Sequence, residues 1–224
     1  GLIAEDDESH REYAFFRDRL TIPVCDKWGN IITYTARTLS DDKDKSKYIN
    51  GRDSLIFHKS EVLFGLNTAV KVGAREELFY IVEGGPDVIT MQKIGAYNTV
   101  APMGTALTKE HLMLLKRFRP KLCFIPDADE PGIKAVLTNG RKAMEEGFRV
   151  TVKEIPKTED GKKQDADSFF QNVDQVRTLE ELDYVIWLAG KLFEKVSQKS
   201  ATETDISDVV KEICDVLILE KDDY

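Results

Sequence analysis

LFYIVEGGPDVITM at residues 78–91 and KLCFIPDADEPGI at residues 121–133 decide the fold of this 224-residue chain. Each stretch begins with a short apolar run that ends in acidic, glycine and proline residues. Such runs are typical of strands buried on both faces of a sheet. Pro86 and Pro131 suit the first turn of a following helix, since a proline there breaks no helical hydrogen bond. Each stretch therefore predicts a strand followed by a helix.

The same alternation continues around these two stretches. NTVAP at 98–102 and FRVTVKEIP at 148–156 have the pattern of strands. TKEHLMLLKRF at 108–118 and the segment 130–147 have the pattern of helices. Strands that alternate with helices predict an α/β fold with a mostly parallel sheet and right-handed crossovers.

The chain before this region is richer in strand signals. TIPVCD at 21–26 and IITYTARTL at 31–39 flank a turn-forming segment at 27–30, which predicts a β-hairpin. Residues 40–54 are charged and poor in apolar side chains, which predicts a surface loop.

The chain after this region has a helical pattern. Six apolar residues repeat at i, i+3 and i+4 and predict one helix with a single apolar stripe: Ile206, Val209, Val210, Ile213, Val216 and Leu217. We expect this tail to pack beside the sheet and to take no part in its chemistry. The predicted division is a small basic β-rich part at 1–76, the α/β domain at 77–167 and a helical part at 168–224.

Three pairs of acidic residues follow the predicted strands. The pairs are Glu83 with Asp87, Asp127 with Asp129, and Asp165 with Asp167. The carboxyl ends of parallel strands meet at one edge of a sheet, where such carboxylates would repel one another unless cations neutralise them. This arrangement predicts a divalent-metal site that handles phosphates, although each acid alone could instead cap a helix.

The charge is distributed unevenly along the chain. The net charge is −8, and residues 165–224 hold 6 Lys/Arg against 15 Asp/Glu. Residues 11–75 hold 12 Lys/Arg against 8 Asp/Glu. A basic first part beside an acidic metal site is compatible with a groove for polyanions, and a solvated charged surface is the alternative.

Other residue types point to an ordinary intracellular globular protein. The three cysteines lie far apart and form no CxxC pair, which argues against a disulfide framework or a zinc module. The three histidines, at positions 10, 58 and 111, are not clustered, so we interpret them as surface or packing residues. The sequence contains neither a membrane-span pattern nor a leader pattern, which predicts a cytoplasmic protein.

The order of the acidic motifs resembles the Toprim fold of primases, topoisomerases and related nucleases. Six further segments, in the same order, resemble the catalytic core of bacterial DnaG-type DNA primases over roughly residues 15–170. These segments are FFRDRLTIPVCDKWGNII (15–32), ARTL (36–39), KYIN (47–50), IFHKSEVLFGL (56–66), VAPMGTALTKEHLMLL (100–115) and QDADSFF (164–170). A topoisomerase would need a tyrosine nucleophile in a separate domain, and nothing nominates one here.

The resemblance implies roles for individual residues. Glu83, Asp127 and Asp129 would be the catalytic acids, and Asp87, Asp165 and Asp167 would complete the metal site. Residues that would line the groove for template and nucleotide are Arg17, Arg19, Arg37, Lys47, Tyr48, Asn50 and Lys59. Two positions depart from the family pattern: Gly85-Pro86 replaces a bulky residue and a non-proline, and Ala128 replaces a glycine between the two aspartates. Both changes are conservative for metal binding.

The resemblance implies a primase core that makes RNA primers from ribonucleoside triphosphates on single-stranded DNA, and it is compatible with a phage or mobile-element origin. Two or more Mg²⁺ or Mn²⁺ ions, bound together with nucleotide, would be its cofactors, with no zinc in this part. A replicative helicase or a fused helicase domain would be a further partner, through regions that this sequence lacks, and the isolated core would prime weakly. A Toprim nuclease and a non-catalytic nucleic-acid-binding scaffold are the alternatives.

Overall fold

The computed structural model describes residues 2–6, 9–40, 46–104, 106–118, 120–158, 160–197 and 202–219. Eleven strands are found in these ranges: β1 Ile3–Glu5, β2 Glu12–Ala14, β3 Arg19–Cys25, β4 Ile31–Thr38, β5 Tyr48–Asn50, β6 Leu63–Phe64, β7 Leu78–Ile81, β8 Thr99–Pro102, β9 Lys121–Phe124, β10 Val150–Val152 and β11 Leu182–Asp183. Eight α-helices are found there: α1 Leu66–Glu76, α2 Gly85–Lys93, α3 Lys109–Lys116, α4 Glu130–Glu145, α5 Ala166–Phe169, α6 Val173–Thr178, α7 Tyr184–Ser197 and α8 Glu203–Leu217.

The main sheet has six strands in the order β11-β10-β9-β7-β8-β6. The four central strands run parallel, whereas β6 and β11 are antiparallel to their neighbours. The prediction of an α/β fold with a mostly parallel sheet is therefore confirmed. The short edge strands β6 and β11 were not predicted.

Both faces of the main sheet are covered. On one face, Phe79 and Leu122 belong to a buried apolar cluster with residues of α1, α3, α4 and α7. On the other face, Tyr80 and Cys123 belong to a second cluster with residues of α2, α5 and α6. Successive strand residues point to opposite faces, so a continuous apolar run supplies both clusters.

A smaller antiparallel sheet, in the order β3-β4-β5, precedes the main sheet. The predicted hairpin is confirmed, because β3 pairs with β4 from Arg19 opposite Thr38 onward. Asp26 fixes the turn by accepting hydrogen bonds from the backbone of Trp28 and Asn30, each over 2.9 Å. Two short strands, β1 and β2, form a separate hairpin.

The surface-loop prediction for residues 40–54 was wrong in part. Residues 48–50 form β5, which pairs with β4 through Tyr48 opposite Arg37 and Ile49 opposite Ala36. Edge pairing with a formed hairpin decides the conformation there, which local composition does not reveal. Residues 41–45 lie outside the described residues.

In the described residues, the tail consists mainly of helices α6, α7 and α8, with strand β11 between α6 and α7, and it joins the main core. β11 pairs with β10, and Tyr184, Trp187 and Leu188 of α7 are buried in the first apolar cluster. The predicted stripe on α8 is divided. Val209 and Val216 are buried, whereas Ile206, Val210 and Leu217 are exposed. Among the described residues, no helix combines the length and the apolar character needed to cross a membrane.

Candidate active site

Glu83 and Asp127 meet at the carboxyl edge of the main sheet. They follow β7 and β9, which are parallel neighbours with Ile81 opposite Phe124. The backbone N–H of Asp127 donates a hydrogen bond to Glu83 Oε1 over 3.0 Å. The predicted convergence of the first and second acidic motifs is therefore seen in the structure.

Gly132 allows this close approach. A Cβ at this position would lie 2.5 Å from Glu83 Oε1 and 2.6 Å from the carbonyl oxygen of Asp127. Any side chain would push one of these groups away. Glycine is therefore needed because there is no room for a Cβ, and not because of its backbone φ angle. Asp129 begins α4 as its N-cap and accepts a hydrogen bond from the Gly132 N–H over 2.8 Å.

Lys163 lies between the two aspartates of the second motif. Its Nζ is 2.7 Å from Asp127 Oδ2 and 2.8 Å from Asp129 Oδ2. The two carboxylates therefore point at a single cation position. Lys163 was not predicted as a site residue, because a lysine in the polar segment KKQD (162–165) has the pattern of a solvated surface charge.

The third acidic motif adjoins the first through α5 and α2. The backbone N–H of Asp167 donates to Asp87 Oδ1 over 3.2 Å. The Thr90 hydroxyl on α2 donates to Asp167 Oδ1. Asp165 caps α5 and accepts a hydrogen bond from the Ser168 N–H over 2.9 Å. These contacts connect all three motifs around one edge of the sheet.

Three of the acids have raised pKa values. Burial, followed by the negative charge of Asp127, raises the pKa of Asp87 to about 7. Burial also raises the pKa of Glu83, although that residue is exposed as a whole. The pKa of Asp127 is raised too, since loss of hydration outweighs the effect of Lys163. Carboxylates crowded in this way favour a bound cation.

Two other acids, Asp129 and Asp165, have lowered pKa values. A hydrogen bond from Lys163 lowers the pKa of Asp129. Burial opposes ionisation of Asp165, but hydrogen bonds from Ser168 outweigh it and lower the pKa of that carboxyl. The hydrogen bond to Asp127 is the largest cause of a raised pKa of the Lys163 ammonium group, and the hydrogen bond to Asp129 is the next.

The donor set fits Mg²⁺ or Mn²⁺ that arrives with a phosphate ligand. Carboxylate oxygens suit these hard cations, and Mg²⁺ commonly takes only one or two carboxylates while waters and substrate phosphates supply the rest. Asp127 and Asp129 provide such a pair around one cation position. Within the described ranges, no group of three or more His, Cys, Asp or Glu side chains is arranged to hold a metal ion by itself.

The predicted groove residues lie mainly on the smaller sheet and its flanks. Arg37 on β4 lies 6.0 Å from the ring centroid of Tyr48 on β5. Arg17 lies 4.9 Å from the ring centroid of Tyr13, and Arg19 donates a hydrogen bond to the Ser46 carbonyl over 2.9 Å. Their roles toward nucleic acid stay predictions.

Asn50 connects the smaller sheet to the α/β part, and Lys59, next to β6, contacts α3. The Asn50 amide donates to the Met103 carbonyl, just after β8, over 3.1 Å. The Lys59 carbonyl is hydrogen bonded to His111 Nε2 over 3.1 Å, and His111 is fully buried. His111 is thus a packing residue, as predicted. Lys47 and Lys59 are both exposed.

In the described residues, the basic groove residues form no ion pairs with the acids of the site. In the part of the chain that the structure describes, no ion pair connects the six acids with Arg17, Arg19, Arg37, Lys47 or Lys59. Lys163 alone is paired with the acids in that part of the chain. In the described residues, the acids of the site therefore do not neutralise these five cations.

Two family models match the sequence. A DNA primase catalytic core, N-terminal domain, matches residues 1–70, and a Toprim-like domain matches residues 80–170. Among curated proteins, the chain is 33% identical over 221 residues to a DNA primase of Pseudomonas putida, covering 88% of this chain and 33% of the relative. It is 35% identical over 233 residues to a DNA primase of Clostridium acetobutylicum, covering 100% of this chain and 37% of the relative.

Solved structures show the same likeness. A crystal structure of a DNA primase domain from Pseudomonas aeruginosa superposes with a TM-score of 0.82 at 29% identity. The alignment covers 98% of this chain and 68% of that one. The chain spans about a third of the length of the curated relatives named above, whose covered shares are 33% and 37%.

Proposed function

Because the chain belongs to the bacterial DnaG-type DNA primase family, we propose that it is a nucleotidyltransferase core that joins ribonucleotides into RNA primers on single-stranded DNA. One observation carries this proposal. Asp127 and Asp129 point at one cation position beside Glu83, at the edge of the sheet where α/β proteins bind phosphorylated ligands.

We assign the acids as follows. Asp127 and Asp129 hold the divalent ion, and Glu83 supports them through the Asp127 backbone while facing the same site. Asp87, Asp165 and Asp167 form the neighbouring acidic wall for a second ion. When bound, Mg²⁺ or Mn²⁺ would make the primer 3′-hydroxyl more acidic and neutralise charge on the pyrophosphate leaving group.

The basic residues hold the polyanionic ligands. Arg37 and Lys47 lie on or beside the smaller sheet, and Lys59 lies next to β6 at the border of the main sheet. Their positive charges would bind phosphates of the template and of the incoming nucleotide. Tyr48 supports Arg37 by the contact between its ring and the guanidinium. The proposed partners are single-stranded DNA, ribonucleoside triphosphates and a replicative helicase, and the proposed place of action is the cytoplasm.

The test is an assay with single-stranded DNA, labelled ribonucleotides and Mg²⁺. We expect labelled oligoribonucleotides from the unaltered protein and none from Glu83→Gln. Glu145→Gln is the matched control, because Glu145 lies on the exposed face of α4 and pairs with Arg141. Cut DNA in place of new RNA would show a nuclease, and binding without either product would show a scaffold. Either result would overturn the proposal.

A further inference from the structure

Lys163 occupies the position that a divalent ion would need. Its ammonium group contacts one oxygen of Asp127 and one oxygen of Asp129 at 2.7 and 2.8 Å. Mg²⁺ binds carboxylate oxygens at about 2.1 Å and would draw the same two groups inward. An ion bound to the same two oxygens would lie close to the ammonium group, and the repulsion between the two positive charges opposes their joint occupancy.

The backbone keeps Lys163 within reach of both aspartates. The N–H of Ala128, between the two aspartates, donates to the carbonyl of Gln164 over 2.8 Å. This hydrogen bond fixes the chain next to Lys163 against the Asp127-Ala128-Asp129 segment. The ammonium group is therefore a tethered ligand of the acids, present at a high local concentration.

The side chain itself can move away. The Lys163 side chain is 49% exposed, whereas those of Asp127 and Asp129 are 12% and 26% exposed. The segment from Glu154 to Gln164 forms neither helix nor strand where the structure describes it. A lysine on such a segment can rotate its flexible stem into solvent without disturbing a packed element.

We propose that Lys163 is a built-in competitor of the divalent ion, which occupies the Asp127–Asp129 pair until the ion displaces it. The proposal rests on the metal site of the proposed function and adds how that site is regulated. In the absence of metal, the lysine neutralises part of the repulsion among the acids. Metal binding must then break two ion pairs, so the affinity for metal is lower than the acids alone would give.

The test is a titration of the whole chain with Mn²⁺, in which the free ion is followed by electron paramagnetic resonance. Lys163→Gln removes the competing charge and should tighten Mn²⁺ binding about three- to tenfold, the range expected for two partly exposed ion pairs. Lys163→Arg keeps a competing cation and should bind Mn²⁺ as the unaltered protein does. Unchanged or weaker binding by Lys163→Gln would overturn the proposal, as would equally tightened binding by Lys163→Arg.

Two controls separate this result from other causes. Lys162→Gln removes a neighbouring lysine that pairs with Asp160 and not with the acids of the site, so it should leave the affinity unchanged. Asp127→Asn should weaken Mn²⁺ binding in either background. If Asp127→Asn binds as the unaltered protein does, the metal site of the proposed function fails and the competition falls with it. If Asp127→Asn weakens binding but Lys163→Gln does not tighten it, only the competition fails.

Discussion

Asp167 donates its backbone N–H to the Asp87 carboxylate over 3.2 Å, which joins two acidic motifs that lie 80 residues apart. The other oxygen of Asp87 accepts the Gly84 N–H over 3.2 Å. Asp87 is therefore buried by both motifs, and its ionisation is coupled to their packing. This relationship gives the protein a measurable dependence of stability on pH.

Burial raises the pKa of Asp87 from 3.8 to about 7. A carboxyl with a higher pKa in the folded than in the unfolded protein binds more protons when folded. Its contribution to the free energy of unfolding is therefore present at low pH, is lost as the pH rises from about 4 to about 7, and stays lost above that range.

Asp87→Asn should remove this loss. Between about pH 4 and about pH 7, the free energy of unfolding of the unaltered protein should fall relative to that of the variant, by up to about 4 kcal/mol. Urea denaturation from pH 4 to pH 8 in the presence of a chelator would measure it. Asp174→Asn, at an exposed position, is the control. Parallel curves for Asp87→Asn and the unaltered protein would contradict the prediction.

Glu83→Gln and Asp127→Asn should each lower primer synthesis at least about a hundredfold, since each removes a charge that metal catalysis requires. The free energy of unfolding should change by less than about 1 kcal/mol, because neither change empties the core. Quantification of labelled RNA and urea denaturation would measure the two effects. Near-normal synthesis by either variant would show that its carboxylate is dispensable.

Gly132→Ala should destabilise the protein by about 1–3 kcal/mol, because its Cβ would be forced against Glu83 and Asp127. The same displacement should weaken Mn²⁺ binding. Gly190→Ala is the matched control, since nothing lies within 4 Å of a Cβ at Gly190 on α7. That change should stabilise the protein by about 0.5–1 kcal/mol. Equal effects of the two substitutions would argue against crowding at Gly132.

Lys47→Ala should weaken binding of single-stranded DNA and make it less dependent on salt. Loss of one phosphate contact lowers the slope of log affinity against log salt by about 0.7 on single strands. Fluorescence anisotropy at several salt concentrations would measure the slope. Lys71→Ala, at an exposed position on α1, is the control. An unchanged slope and affinity would place Lys47 on the solvated surface.

Trp187→Ala should cost about 3–5 kcal/mol in the free energy of unfolding, as expected for loss of a large buried aromatic side chain. Trp187 is 2% exposed and its Nε1 donates to Glu154. The neighbouring Ile186 is 65% exposed, so Ile186→Ala should change the free energy by about 0.5 kcal/mol or less. A small effect of Trp187→Ala in thermal and urea unfolding would show that the tail is not part of the cooperative core.

The main features of the α/β sheet could be predicted because local pattern decides them. The apolar runs before Glu83 and Asp127 specify buried strands, and Pro86 and Pro131 mark the helices that follow. The two-residue strands at Leu63 and Leu182 could not be predicted in this way, because they exist only by pairing with strands distant in sequence. Helix α1 also escaped prediction, since the run VLFGL (62–66), which ends at the first residue of the helix, has the pattern of a strand.

In the candidate site, too, only the residues that a local sequence pattern marks could be predicted. The acidic pairs could be identified from their spacing after strands. The lysine that pairs with them comes from a polar loop 36 residues after Asp127, and only the folded chain brings the two together. Ion pairs of this kind carry no periodic signal in the sequence.

The short edge strands also bear on aggregation. The main sheet ends on one side at β6 and on the other at β11, and each of these strands has only two residues. A neighbouring molecule that tried to extend the sheet would find at most a two-residue ladder at either rim, whereas edge-to-edge association needs a long flat strand. The short edge strands therefore hinder other chains from adding strands to this sheet. They protect its largely apolar strands from fibre-like assembly.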